Sequence, residues 1–240
     1  MKVDRNKSNS LSFYDDYSFW KEQLYEVSVF LLLILPSMAL SFFAVKQGSL
    51  SFPLVASATI LRDLSLISLI FFFIWRNNEP MSRIGWVFIN RRKDVLLGMG
   101  LFVPLFFGTS LLDQALQAAG FSSPSTPLPT YMVARDIIQY LLAAALVVVV
   151  ALTEETVFRG YLILRLGAVT RSPFLAVLLS AVIFSIGHGY EGSAGVITVG
   201  FMGLVFGLVY LWRQSLTAPV VMHFLQDFIG IVLVPLFGLK

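Results

Sequence analysis

The strongest constraint in this chain is a succession of apolar stretches, each about as long as a lipid bilayer is thick. Seven can be marked, at approximately residues 25–45, 54–75, 95–118, 136–156, 173–190, 194–212 and 217–239. A helix needs about 20 apolar residues to cross the hydrocarbon core. Only helices and closed barrels satisfy their backbone hydrogen bonds there. Charge is scarce to match: 13% of the 240 residues are Asp, Glu, Lys or Arg, against roughly 25% in soluble domains. A soluble globule could not hide so much apolar surface, and a disordered chain would not carry it. The expected fold is all-α, a polytopic transmembrane helical bundle of about seven spans (six to eight). Residues 1–24 read as a cytoplasmic N-terminal tail and 25–240 as a single membrane domain.

Several chemistries drop out early. The absence of cysteine excludes disulfides, thiolate metal sites and cysteine nucleophiles. The net charge of +3 gives no reason to expect nucleic acid as a partner, and the first 24 residues lack the apolar core of a signal peptide. The basic residues set an orientation. With the N-terminus inside, thirteen Lys and Arg fall in inner segments, only Lys46, Arg135 and Lys240 fall in outer ones, and Arg62 lies within a span. That bias predicts an N-terminus in the cytoplasm of a cell whose plasma (inner) membrane holds the protein. Arg91-Arg92-Lys93 is expected to meet anionic headgroups.

Every ionisable group inside a span then needs a reason, because lipid burial costs several kcal/mol. They are Arg62, Asp63, Asp113, Glu154, Glu155, Arg159, His188, His223 and Asp227, six of them between 154 and 227. Arg62-Asp63 reads as a structural pair. Helical spacing lets Glu155 pair with Arg159 and leaves Glu154, about 100° around, without that partner. Glu154 is thus either part of a solvated helix end or a general base toward water. The chain's two histidines close Phe184-x-x-x-His188 and open His223-x-x-x-Asp227. In the second, Asp227 shares a helical face with the imidazole and is placed to orient it. Gly203 and Gly207 share a face and predict close helix packing. Glu191 reads as a solvated outer-loop residue. Ser185 lies near His188 without any other sign of serine catalysis, and no His-Glu-x-x-His zinc signature is present.

Together, Glu154-Glu155-x-x-x-Arg159, Phe184-x-x-x-His188 and His223-x-x-x-Asp227 resemble the three ordered motifs of the CPBP family, the CAAX proteases and bacteriocin-processing enzymes also called Abi proteins. The resemblance covers about residues 136–230. It implies an intramembrane endopeptidase acting on a membrane-associated protein or peptide. By that resemblance Glu154 activates the attacking water, His188 helps hold or deprotonate it, and His223 and Asp227 complete the site. Glu155, Arg159 and Phe184 support it. The family has been read both as metal-free and as metal-dependent, so the cofactor is either none or a divalent metal such as zinc on Glu154, His188, His223 and Asp227. The family's prenyl-protein proteases carry Asn at the position of Asp227, and an ionised aspartate cannot donate a hydrogen bond. The alternatives are a non-catalytic scaffold or immunity-type protein on the same fold, and a small transporter, for which no internal repeat is visible.

One expectation conflicts with the rest. Counted along these spans, Glu154 and His223 lie toward the inner side, whereas His188 lies roughly 22 Å into its own span. If the three meet, the helices around 156–180 project beyond the bilayer.

Overall fold

A computed structural model describes residues 20–32, 51–123 and 133–238. All regular structure among them is helical. The helices are α1 (residues 20–32), α2 (Phe52–Arg76), α3 (Arg91–Ala118), α4 (Ile137–Thr170), α5 (Pro173–Ile186), α6 (Gly192–Arg213) and α7 (Thr217–Leu236). Five are long and apolar enough to cross a membrane: α2, α3, α4, α7, and α6 with the 3-10 turn before it. The molecule is a multi-pass membrane protein. Most of the stretch 25–45 lies outside the described residues, and α1 begins at Trp20, inside the segment read as a tail.

Two expected boundaries are corrected. The fourth stretch runs on to Thr170, so α4 has 34 residues and is about 51 Å long at 1.5 Å per residue. The fifth, expected to span, is a helix of 14 residues. At about 21 Å it falls short of a hydrocarbon core about 30 Å thick. The turn between them explains where each stops. Arg171 takes a left-handed conformation at the end of α4. Ser172 then caps α5 by accepting a hydrogen bond from the Leu175 amide at 3.2 Å, with Pro173 at the first helical position.

Within α4 the residues Glu155–Leu162 wind as a π-helix, and all eight are buried. A second π segment, Phe228–Leu233, begins directly after Asp227 in α7. The widened turns therefore sit at the first and third sequence motifs, as π turns often do at functional sites.

Small residues let the helices close on one another. A Cβ on Gly207 would lie 2.7 Å from Val177 Cγ1, and one on Gly203 would lie 3.2 Å from Ala181 Cβ. The Gly203/Gly207 face of α6 is thus packed tightly on α5, as its spacing predicts. Outward faces are apolar. Phe174, Leu178, Val182 and Ile186 of α5 form one exposed stripe at four-residue intervals.

At the end of the bundle holding the α2–α3 and α4–α5 turns, Arg165 is fully buried. It bonds Glu79 through two nitrogens (2.6 and 3.0 Å) and Glu26 of α1 (2.8 Å), while the Tyr161 hydroxyl donates to Glu26 at 2.7 Å. Arg213 joins the end of α6 to Asp94 in the first turn of α3 at 2.8 Å. Arg159 and Arg165 were both counted among the inner basic residues; each is sequestered inside the protein and does not face headgroups.

Candidate active site

The centre of the site is the Glu155 carboxylate, which has no exposed surface. Its Oε1 accepts from Arg159 Nη1 at 2.8 Å and from His223 Nδ1 at 2.7 Å. The first partner follows from helical spacing. The second comes from α7, 68 positions away, and spacing gives no hint of it. Arg159 is held on both sides by rings, with its guanidinium 4.4 Å from the centroid of Phe184 and 5.1 Å from that of Phe206. Phe206 also stacks on His223 at 5.8 Å. Sequence reasoning missed Phe206, since nothing marks it among 22 phenylalanines.

These contacts orient His223. A carboxylate only accepts, so the ring carries a proton on Nδ1 toward Glu155. Its Nε2 faces Asp227 Oδ2 at 3.4 Å and Glu154 Oε2 at 3.8 Å, two acceptors that suit a proton on that nitrogen as well. Glu154 Oε2 is buried without a hydrogen-bond partner, although the side chain as a whole is 21% exposed. A carboxylate oxygen without a partner beside an imidazole, on a side chain that is partly accessible, is suited to accept a proton from water.

His188 enters from the end of α5. Its Nδ1 lies 3.0 Å from the Phe184 carbonyl oxygen, and a carbonyl also only accepts, so Nε2 of the neutral ring keeps its lone pair. The Phe184 ring centroid is 4.8 Å from that of His188 and 6.1 Å from that of His223. Phe184 therefore joins the two histidines and Arg159 in one packed group, while no hydrogen bond links His188 to Glu154.

The hairpin of α4 and α5 removes the conflict in depth. Glu154 is sixteen residues before Thr170 and His188 fifteen residues after Pro173. The two therefore lie level across an antiparallel pair.

Other candidates fall into place or change. Arg62 pairs with Asp63 Oδ1 through Nε (2.9 Å) and Nη2 (2.8 Å), as a structural pair would. Asp113 accepts from Gln117 at 2.6 Å. Ser185 donates to the Val182 carbonyl at 2.9 Å. Glu191 is not a solvated loop residue. It closes the 3-10 turn Gly189–Glu191 before α6 and is half-buried.

Among the described residues, no three His, Cys, Asp or Glu side chains are arranged to hold a metal. Both histidines engage Nδ1, with Glu155 and with a carbonyl, which leaves each Nε2 chemically able to ligate; it is the spacing of the side chains that does not form a set. As placed, Glu154, His188, His223 and Asp227 do not fit a metal ligand set, so no step below is routed through one.

Comparison with known proteins agrees with the motifs. Residues 136–229 match the family described as type II CAAX prenyl endopeptidase Rce1-like. The match supports the resemblance to the CAAX proteases over this segment, which carries all three motifs. The chain is also similar to a Bacillus subtilis (strain 168) protein described as the uncharacterized protein YyaK, with 26% identity over 145 residues. That match covers 59% of this chain and 44% of the relative, so the chain spans less than half of the relative's length. No solved structure matches the chain.

Proposed function

We propose that this protein is an intramembrane endopeptidase that cleaves a membrane-associated protein or peptide, with its catalytic core at about residues 136–230 of one membrane domain. The observation that carries this reading is the unpartnered Glu154 oxygen beside His223, whose far nitrogen is held by the buried Glu155–Arg159 pair. Glu154 takes a proton from water, and the water oxygen bonds to the scissile carbonyl carbon as the carbonyl π pair moves onto oxygen. His188 Nε2 holds the water in line. Collapse of the intermediate expels the amine, which receives the proton from Glu154. His223 lies between Glu154 and Asp227 and offsets charge as it shifts between them. Glu155, Arg159 and Phe184 keep that imidazole in place. The basic residues that remain at the surface favour an N-terminus in the cytoplasm and a location in the plasma membrane.

The test is a comparison of membrane and secreted peptides from cells carrying wild type, E154Q or H188A. Specific products are expected to be lost in both variants while the protein stays in the membrane at its normal level. Products that persist in E154Q would overturn the reading.

A further inference from the structure

The π winding at the first motif is secured by groups from outside its own helix. A π turn holds one residue more than an α turn and is rare, which makes its supports informative. At its start, the Trp86 indole Nε1 donates to Thr156 Oγ1 at 3.1 Å, and Thr156 Oγ1 donates to the Leu152 carbonyl oxygen at 2.7 Å. An indole nitrogen only donates and a carbonyl only accepts, so both directions are fixed. A threonine hydroxyl bonded four residues back competes with the backbone ladder and loosens an α-helix at that point. In the middle of the winding, the Phe158 carbonyl accepts from Ser180 of α5 at 2.7 Å.

Trp86 reaches this place from a well-anchored turn. It follows the 3-10 turn Met81–Ile84 between α2 and α3, where Ile84 has no exposed surface. Gly85 takes φ +77, and its carbonyl accepts from the Leu216 amide at 3.0 Å, tying the turn to the residue before α7. Gly160, inside the π winding, lets the turn close in, since a Cβ there would lie 2.7 Å from the Ile84 carbonyl oxygen. The Trp86 ring meets Phe71 of α2 edge-on, with centroids 5.2 Å apart and planes at 87°. Thr156 is fully buried, so its hydroxyl depends on these protein partners.

We propose that Trp86 is a positioning residue for Glu154 and Glu155, acting through Thr156 to hold the π winding in place. Closing that winding to an α turn would shift the helix on one side of it by one residue, about 100° and 1.5 Å. Glu154 and Glu155 would then turn away from His223, which they face at 3.8 and 2.7 Å. The effect falls on the alignment of the reacting groups and not on substrate binding, so it is read in kcat with KM nearly unchanged.

This inference rests on the peptidase reading, and its test separates the two. The probe is a quenched fluorescent peptide spanning a junction found in the peptide comparison above. It is assayed with the full-length protein in detergent micelles, well below each variant's melting temperature. W86F keeps a ring against Phe71 and removes the donor, T156V keeps the shape and removes the hydroxyl, and T156S keeps the hydroxyl. W86F and T156V are each expected to lower kcat about 10- to 100-fold with KM within about threefold, while T156S turns over like wild type. The double variant W86F/T156V is expected to be no slower than T156V, because both residues act through one chain of bonds. Unchanged kcat in W86F or in T156V, with E154Q inactive, would overturn the Trp86 role alone. So would losses that multiply in the double variant, a fall carried by KM, or a T156S protein as slow as T156V. If W86F does not accumulate in the membrane, T156V against T156S decides, and equal kcat in the two would overturn the proposal. Turnover in E154Q would remove the peptidase reading beneath it.

Discussion

At the scale of single residues, the site separates groups that act from groups that hold. Glu154 keeps an unpartnered oxygen and some side-chain exposure, whereas Glu155 and Arg159 are buried and joined at 2.8 Å. Removing one partner of a buried pair leaves an uncompensated charge and costs about 3–5 kcal/mol. R159M is therefore expected to lower the detergent-solubilised melting temperature sharply and to abolish turnover, while E154Q abolishes turnover and melts like wild type. Lysine is not a substitute, because its point charge cannot fill the planar slot between Phe184 and Phe206. An R159K protein with normal turnover and melting would show that the slot is unimportant. The residues proposed to act stand out in the sequence because apolar surroundings isolate them. Phe206 does not, for the same reason: an apolar ring in an apolar run carries no local signal. The Glu155–His223 bond was hidden because it joins two distant helices, and no single-helix periodicity encodes it.

At the scale of elements, the α5–α6 contact sets the position of Phe184 and His188 relative to Phe206. A Cβ at Gly207 would lie 2.7 Å from a branched Val177 methyl, which cannot swing away as a long side chain would. G207A is expected to cost about 1–3 kcal/mol by overpacking, and G207V more. Both should lower turnover before they lower the amount of folded protein in the membrane. Turnover and melting that fall strictly together would instead tie the loss to global unfolding. Most helices were readable from hydropathy to within a few residues, since lipid and protein select the same side chains. Hydropathy reports only that a residue leaves water, so it could not distinguish the short α5 from a full span. It also stopped at the end of the fourth stretch, whereas α4 continues with Arg159 and Arg165 satisfied inside the protein. The π winding of Glu155–Leu162 left no mark in composition.

At the scale of the whole molecule, Arg165 connects α1, the loop after α2 and the far end of α4 through Glu26, Glu79 and Tyr161. Nothing in this group touches the site, so its loss should separate cohesion from catalysis. R165M is expected to speed tryptic cleavage at α1 and to lower the melting temperature, because Glu26 and Glu79 lose their counter-charge. Wild-type turnover should survive below that temperature. Unchanged proteolysis would show that α1 is held by its apolar face instead, where Val27 and Phe30 enter the core. The unequal hairpin has a wider consequence. At about 21 Å, α5 is roughly 9 Å shorter than the hydrocarbon beside it, yet its exposed stripe of Phe174, Leu178, Val182 and Ile186 must still be wetted by acyl chains. Lipids there are expected to thin or splay to meet it. A substrate helix arriving along that flank would find its last turns nearer water than in the bulk membrane, where an unwound peptide bond is less costly. The short helix would then prepare the substrate as well as support the site, by deforming the solvent around both.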